Sequence, residues 1–152
     1  MFNFSMLCML LEDQYSIAKR RGSRQRSAIQ VLEESKDKSV TCVSETSDSN
    51  CLLVSTLDSK IRLLDKSNGT CLNTFTGHDN SKYRIKSCLD STDEFVVSGS
   101  ENNCIVAWDI LHSNSGISLP GHSSIVSSVS ISRDNLRMAS SSVNGEIIIW
   151  GS

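Results

Sequence analysis

The sequence predicts an all-β protein made of repeated antiparallel sheets. Its apolar residues come in short runs rich in Val, Ile, Ser and Thr, and such runs favour strands. Turn signals such as Asn144-Gly145 separate the runs, and the chain contains a single proline, Pro120. Three segments also share one strand-turn-strand pattern: VSTLDSKIRLLD (54–65), SGSENNCIVAWD (98–109) and SSSVNGEIIIWG (140–151). A unit that recurs at this spacing is typical of sheets that stack on one another.

The turn signals divide the first two repeats into four strands each and the third into three. The expected strands are 40–44, 51–56, 60–65 and 70–75, then 84–89, 95–100, 104–109 and 115–119, then 125–131, 136–141 and 146–150. The run AIQVL (28–32) predicts an outer strand of a preceding sheet. Residues 1–26 lack the pattern and are expected to be irregular or disordered, and their apolar start is too short to span a bilayer.

Composition and motifs argue against several function classes. The formal charge of -2 indicates no polyanion partner, and the basic run KRRGSRQR (19–26) is expected to be a solvated loop rather than a nuclear address or nucleic-acid patch. None of the six cysteines forms a CxxC pair or fits a zinc spacing. Phosphate-binding glycine loops, HExxH and nucleophile elbows are missing from the sequence. We therefore expect no enzyme activity, cofactor, metal or small-molecule ligand.

Two sequence marks recur in register and identify the repeat. Leu64, Trp108 and Trp150 are 44 and 42 residues apart, and His78 and His122, each in a Gly-His pair, precede the two tryptophans by 30 and 28 residues. A period in the low forties with Gly-His and Trp-Asp marks is typical of WD40 repeats, and residues 39–152 resemble that family.

The WD40 resemblance implies the architecture of the chain. It implies a partial WD40-type β-propeller with three four-stranded blades, the last one incomplete, after the irregular N-terminus. Residues 27–152 would hold the repeats, at about 39–76, 77–120 and 121–152. Because propellers typically have about four to eight blades, three do not close a ring. We expect such an open arc to self-associate or to be unstable.

The resemblance also implies a structural hydrogen-bond tetrad in each repeat rather than a catalytic Ser-His-Asp site. A buried indole N–H and a buried serine hydroxyl both need partners, which a histidine oriented by a turn residue can supply. Both turn positions carry asparagine instead of aspartate, which gives up charge-assisted hydrogen bonds and predicts softened blades. The predicted tetrads are His78, Ser98, Asn102 and Trp108 in the second repeat, and His122, Ser140, Asn144 and Trp150 in the third.

Partner-binding positions follow from where WD40 proteins usually bind. The family resemblance places them just before the turn position of each repeat and just after each Gly-His pair. We expect Glu101 to face outward and to be the most informative of them. The predicted positions are Leu57, Glu101, Val143, Asp79 and Ser123.

Three less generic stretches narrow the resemblance further. AIQVLEESKDKSVTCV (28–43), LLVSTLDSKIRLLDKSNGTCL (52–72) and GHDNSKYRIKSCL (77–89) resemble the C-terminal half of the mitogen-activated protein kinase organizer group of WD-repeat proteins. This implies a non-catalytic protein-protein interaction scaffold whose partners are kinase-cascade components. It equally implies an alternative, a spliceosome-associated subunit in mRNA processing.

Two further alternatives remain open at the level of sequence. The chain could be a truncated isoform or a fragment without a function of its own. A hydrolase that uses His78 or His122 is the alternative from a different class, and burial of these histidines would exclude it. In every reading we expect no direct nucleic-acid binding and no membrane association, with the protein in the cytoplasm and the nucleus as a second location.

Overall fold

The structure, a computed structural model, describes residues 37–113 and 116–151. The predicted irregular segment 1–26 and the predicted strand 28–32 lie outside these residues. Within them, the chain folds into strands that form three antiparallel sheets. None of these residues belongs to a helix with the length and hydropathy that a membrane span requires.

Each sheet is a simple meander in which consecutive strands are neighbours. The first sheet holds β1 Val40–Glu45, β2 Cys51–Thr56, β3 Lys60–Asp65 and β4 Cys71–Phe75; the second holds β5 Ser87–Leu89, β6 Phe95–Gly99, β7 Cys104–Asp109 and β8 Ile117–Pro120; the third holds β9 Val126–Ile131, β10 Met138–Ser142 and β11 Ile147–Trp150. The predicted fold class is confirmed: the sheets are blades of a partial β-propeller, and the last one has three strands.

Three strands begin two or three residues later than the sequence predicts, and the other predicted boundaries agree to within one residue. β5 begins at Ser87 instead of residue 84, because backbone N–H groups of residues 81–83 bind the Glu101 carboxylate before the chain enters the sheet. β10 begins at Met138 instead of residue 136, because Asn135 adopts a left-handed turn conformation. β8 is shifted by two residues at its start, to Ile117.

Alternating side chains build two hydrophobic cores, one on each face of the second blade. Val96 and Trp108 face the first blade, whereas Val97 and Ile105 face the third. This alternation follows from the two-residue period of a strand. The first core contains Leu53, Ile61, Leu63, Phe75, Val96, Val106 and Trp108, and the second contains Val97, Ile105, Val126 and Val129. Each buried side chain of this size contributes about 1.5–3 kcal/mol, so the second blade is stabilised from both sides.

The two tryptophans differ in how deeply they are buried. Trp108 is fully buried, and a Cβ added at Gly116, just before β8, would lie 2.5 Å from its indole Nε1. The start of β8 therefore lies directly over this indole. Trp150 is only partly buried. The opposite face of β11 exposes Ile147 and Ile149.

The turns between second and third strands meet the connections between blades at one end of the propeller. The N–H of Glu101 donates to the Asp79 carbonyl at 2.8 Å, and the N–H of Val143 donates to the Ile125 carbonyl at 3.0 Å. We call this the upper end, which comprises turns 57–59, 101–103 and 143–145 and connections 76–86 and 121–125. The lower end comprises turns 46–50, 90–94 and 132–137.

A repeated side-chain clamp joins neighbouring blades at the lower end. The Ser47 N–H and hydroxyl donate to Asp93 Oδ2 at 2.7 and 2.6 Å. One blade further on, the Ser91 N–H donates to Asn135 Oδ1 at 3.1 Å. Asp93 and Asn135 occupy the same turn position, with φ of 58° and 57°. The left-handed residue of each turn thus reaches back to the preceding blade.

We predict that Asp93→Gly lowers the free energy of unfolding by about 1 kcal/mol, the usual contribution of a hydrogen bond. Glycine tolerates the left-handed backbone, so the change removes the clamp without adding strain. Urea unfolding of the full chain measures the effect. Ser49→Gly is the matched control, because Ser49 holds the equivalent position of the first blade at φ 59°. Equal losses in both variants would contradict the clamp.

Candidate functional site

A chain of four polar side chains runs from the upper end of the third blade into its interior. Glu146 Oε2 lies 2.9 Å from His122 Nδ1, and His122 Nε2 lies 2.6 Å from Ser140 Oγ. The Trp150 indole N–H donates to the same Ser140 oxygen at 2.8 Å. Because a carboxylate only accepts, the His122 Nδ1–H donates to Glu146, and in the tautomer with its proton on Nδ1 the other nitrogen, Nε2, accepts the Ser140 proton. The structure therefore brings His122, Ser140 and Trp150 together.

The predicted role of Asn144 in this chain is wrong, because Glu146 supplies the acceptor for His122. Asn144 is exposed, and its amide bonds Ser142 Oγ and Ser123 Oγ instead. Glu146 follows the left-handed Gly145 and reaches back to the histidine with a longer side chain. Hydrogen bonds from the Ser123 N–H and from His122 hold the pKa of Glu146 below its usual range. The third blade therefore keeps a charge-assisted hydrogen bond that its asparagine had seemed to forfeit.

The predicted tetrad of the second blade does not assemble. The Trp108 N–H donates to the Thr76 carbonyl at 2.9 Å, and the Ser98 hydroxyl donates to the Gly99 carbonyl at 2.9 Å. His78 stacks edge-on against Trp108, with ring centroids 5.4 Å apart. Neither ring nitrogen of His78 has a hydrogen-bond partner among the described residues. These assignments correct the prediction that His78 bridges Ser98 and Trp108.

The physical reason lies in the turn of the second blade. Asn102 is exposed, and its side-chain oxygen accepts the Cys104 N–H at 3.3 Å rather than facing the imidazole. Cys104 holds the position equivalent to Glu146, so no carboxylate is available there. Burial of His78, which is 2% exposed, lowers its pKa to about 4 and keeps it neutral at physiological pH.

The first blade places its turn aspartate in a separate ion pair. Asp58 Oδ2 lies 2.7 Å from Arg62 Nη2, and Arg62 Nη1 donates to Thr56 Oγ1 at 2.6 Å. Partial burial raises the pKa of Asp58, but the hydrogen bonds from Arg62 and Thr56 outweigh it and lower that pKa to about 2. The same turn position therefore binds a guanidinium in the first blade, a backbone N–H of its own turn in the second, and two serine hydroxyls in the third.

The Glu146–His122–Ser140 chain has the connectivity of a hydrolytic triad but not its access. Ser140 is 2% exposed, and its oxygen already accepts the indole N–H of Trp150. A substrate carbonyl cannot approach an oxygen that is buried and hydrogen-bonded in this way. His122 and His78 are both buried, so the structure contradicts a hydrolase built on either. Across residues 37–113 and 116–151, no cluster of His, Cys, Asp and Glu is arranged to hold a metal ion.

The predicted partner-binding positions divide into exposed and partly buried ones. Asp79, Ser123 and Val143 are exposed at the upper end, whereas Leu57 and Glu101 are partly buried. The Asp79 N–H donates to Ser100 Oγ at 2.8 Å, which fixes the backbone and leaves the carboxylate at the surface. Val143 is the apolar one of the three, and it is 49% exposed.

The expectation that Glu101 faces outward is wrong. Glu101 Oε1 accepts the backbone N–H groups of Ser81, Lys82 and Tyr83 at 2.7, 2.6 and 3.0 Å. The Ser81 hydroxyl donates to Oε2 at 2.9 Å. Partial burial raises the pKa of Glu101, but these hydrogen bonds outweigh it and lower that pKa to about 2. The carboxylate therefore holds the backbone of the 76–86 connection in place and is not available as a contact for a partner.

A cleft of about 510 Å³ lies between the second and third blades, away from the upper end. Its walls are mainly apolar and include Leu119, Met138 and Trp150, and Asp90 and Arg137 are also part of its lining. Because Trp150 lines this cleft, it is less buried than Trp108.

Comparison with known proteins agrees with the fold of repeated blades. A family model described as the anaphase-promoting complex subunit 4 WD40 domain matches residues 4–110, and one described as WD domain, G-beta repeat matches residues 113–151. Over 112 residues the chain is 37% identical to WD repeat domain-containing protein 83 of Danio rerio, covering 74% of this chain and 35% of that protein. Over 90 residues it is 40% identical to the Homo sapiens protein of that name, covering 59% and 29%.

A more distant relative matches a longer stretch. Over 134 residues the chain is 34% identical to WD repeat-containing protein 26 homolog of Arabidopsis thaliana, covering 84% of this chain and 22% of that protein. The chain thus spans about a third or less of the length of these relatives.

We predict opposite effects for the two histidines. His122→Leu leaves the buried Ser140 hydroxyl without its acceptor and should cost about 1–3 kcal/mol of unfolding free energy. His78→Leu removes two unpartnered buried nitrogens and should be neutral or stabilising by about 1 kcal/mol. Chemical unfolding of the two variants checks this, and each serves as the control for the other. Similar losses at both positions would show that His78 has a partner.

We also predict a pH dependence that originates from His78. Its folded pKa of about 4 lies below the ordinary value of 6.5, so the unfolded chain binds the proton first. Above pH 6.5 the imidazole is neutral in both states and has no effect of this kind, whereas stability is lost as the pH falls toward 4, at up to about 1.4 kcal/mol per unit. When the free energy of unfolding is plotted against pH over this range, the slope should be smaller for His78→Leu than for the unaltered chain. Parallel curves would rule out His78 as the source.

Proposed function

Because the chain belongs to the WD40-repeat family, we propose that it is a non-catalytic scaffold that binds other proteins through the upper ends of its blades. The observation that carries this proposal is that the polar side chains of the third blade hydrogen-bond to one another. His122, Ser140 and Glu146 are joined to each other and to an indole, so they hold the blade together. Groups that could perform chemistry are thereby committed to structure.

The upper end supplies what a scaffold needs, which is a rigid surface with exposed side chains. Its turns are bonded to the connections between blades, as the Glu101–Asp79 and Val143–Ile125 backbone hydrogen bonds illustrate. Asp79, Ser123 and Val143 project from this frame. A fixed backbone reduces the conformational entropy that is lost when a partner binds, which favours affinity.

The partners that we propose are components of a mitogen-activated protein kinase cascade. The support is the resemblance of residues 28–43, 52–72 and 77–89 to the organizer group of WD-repeat proteins. For such a scaffold we propose a cytoplasmic location, with the nucleus as a second one. The matched relatives are longer than this chain, so the proposal concerns the surface that these three blades present.

We predict that Val143→Asp reduces recovery of the kinase partners about fivefold, as expected when an interface loses about 1 kcal/mol. The tagged full chain is used to capture proteins from a cell lysate after cross-linking, and the recovered proteins are quantified by mass spectrometry. Leu136→Asp is the matched control, because Leu136 is 70% exposed at the lower end. It should recover the same proteins as the unaltered chain.

The same capture separates the proposal from its alternatives. Recovery of splicing factors in place of kinases would replace the kinase scaffold with a subunit of the mRNA-processing machinery. If the unaltered chain and the Val143→Asp variant recover the same proteins in equal amounts, the upper end is not the binding surface.

A further inference from the structure

The lower end of the second blade carries an ordered loop with a projecting apolar side chain. Leu111 follows β7 and, at 82% exposed, is the most exposed large apolar residue in the described part of the chain. The N–H groups of Leu111 and His112 donate to Asp109 Oδ1 at 2.8 and 3.1 Å. Ile110 packs against the first core, so the backbone around Leu111 is held in place. We call residues 109–112 the Leu111 loop.

The apolar cleft between the second and third blades opens beside this loop. Phe95 and Leu136 line the cleft and are 47% and 70% exposed. Glu94 also lines it, and the Glu94 carbonyl accepts the Ile110 N–H at 2.9 Å. The loop and the cleft are therefore neighbours on one surface of the lower end. Exposed apolar side chains that are grouped in this way mark an interaction site, whereas single scattered ones do not.

Three polar side chains that line the cleft already have hydrogen-bond partners within the chain. The Asp90 carboxylate accepts the N–H groups of Glu94 and Phe95 at 2.8 and 2.9 Å. The Asn135 side-chain amide donates to the same carboxylate at 3.0 Å, and the indole N–H of Trp150 is bound within the third blade. The cleft therefore offers apolar surface to a ligand, and its volume of about 510 Å³ is ample for a leucine side chain.

We propose that two copies of the chain form a symmetric dimer in which the Leu111 loop of each copy inserts into the cleft of the other. In a twofold contact, one surface patch must supply both halves of the interface. The lower end meets this condition, because a projecting apolar residue and an apolar cleft lie side by side on it. A surface that bound a different protein would need only one of the two. The inference goes beyond the proposed scaffold function, since it adds an interface that leaves the upper end free.

Charges at the mouth of the cleft match those of the incoming loop. Arg137 lines the cleft from the third blade, and its exposed side chain has no ion-pair partner among the described residues. Asp109 holds the Leu111 loop through Oδ1, so Oδ2 can face Arg137 of the other copy. Glu94 lines the cleft from the second blade and would repel the same carboxylate. The two charges thus fix the orientation of the loop, and complementary charge adds specificity.

The test measures self-association of the full chain by sedimentation over a series of concentrations. Leu111→Asp should raise the dissociation constant of the dimer about a hundredfold, because symmetry removes two contacts that are each worth about tenfold. Val143→Asp is the matched control, since it replaces an exposed apolar residue of the upper end and should leave the dimer unchanged. Equal association of the unaltered chain and the Leu111→Asp variant would overturn the proposal.

A mixture of two variants tests whether the loop and the cleft bind each other. Phe95→Asp places a charge at the cleft but leaves the Leu111 loop intact, so this variant alone should dimerise as weakly as Leu111→Asp. In an equimolar mixture, the intact cleft of one variant can receive the intact loop of the other. The mixture should therefore associate more tightly than either variant alone and more weakly than the unaltered chain. A mixture that associates no more tightly than its components would show that the inference is wrong.

A charge reversal at the mouth of the cleft tests the proposed orientation. Arg137→Glu should weaken the dimer about tenfold, because it reverses one favourable charge contact in each half of the interface. Arg133→Glu makes the same change in charge at an exposed position of the same turn and should shift the dissociation constant less than about twofold. Equal effects of the two changes would contradict the contact between Asp109 and Arg137.

The remaining outcomes separate this inference from other forms of association and from the scaffold function. A chain that stays monomeric at every concentration would overturn it. If Ile149→Lys abolishes association and Leu111→Asp does not, the exposed face of β11 joins the copies and the inference is equally wrong. In the lysate capture, Leu111→Asp should lose the dimer and still recover the kinases, whereas Val143→Asp should keep the dimer and recover fewer of them.

Discussion

The indole N–H of a buried tryptophan must find an acceptor, and the upper ends of the second and third blades are arranged around this requirement. In the third blade the acceptor is Ser140 Oγ. The Ser140 hydroxyl in turn bonds one ring nitrogen of His122, and Glu146 bonds the other. In the second blade the acceptor is the Thr76 carbonyl. This difference decides which polar groups of each blade are committed to the interior and which remain available at the surface.

The second and third blades use a glutamate carboxylate for different contacts. In the third blade Glu146 binds His122 and the Ser123 N–H, which ties the turn to the connection before it. In the second blade His78 has no such partner, and the carboxylate of Glu101 turns to the 81–83 backbone instead. The second blade therefore leaves an uncompensated imidazole beside Trp108 but gains a longer, ordered connection. One blade uses its acid to complete a core network, and the other uses its acid to shape a surface.

Sequence reasoning found the features that repeat and are local. Strands follow from alternating apolar residues, and the blades follow from Trp108, Trp150 and the Gly-His pairs, so the fold class could be predicted. It missed Glu146 because the motif points to position 144, and only the structure shows that the longer side chain two residues on reaches His122. It missed the Asp93 clamp because serine, aspartate and asparagine are common in turns, and the contact joins residues that are distant in the chain. Such choices depend on the distance between blades, which no local pattern encodes.

Blades in a propeller contact only their neighbours, so each interface must be stable with the groups that two blades provide. The two interfaces differ at an equivalent position of β2 and β6. Ser55 of the first blade meets Ser87 of the second through a 2.6 Å hydroxyl contact. The equivalent residue of the second blade is Gly99, where a Cβ would lie 2.2 Å from the Val126 carbonyl oxygen, and the Val126 N–H donates to the Ser100 carbonyl at 3.1 Å. The second and third blades therefore join backbone to backbone, which only glycine permits at position 99. Any side chain there would separate the third blade from the only neighbour that the described residues give it, together with the apolar core that both share.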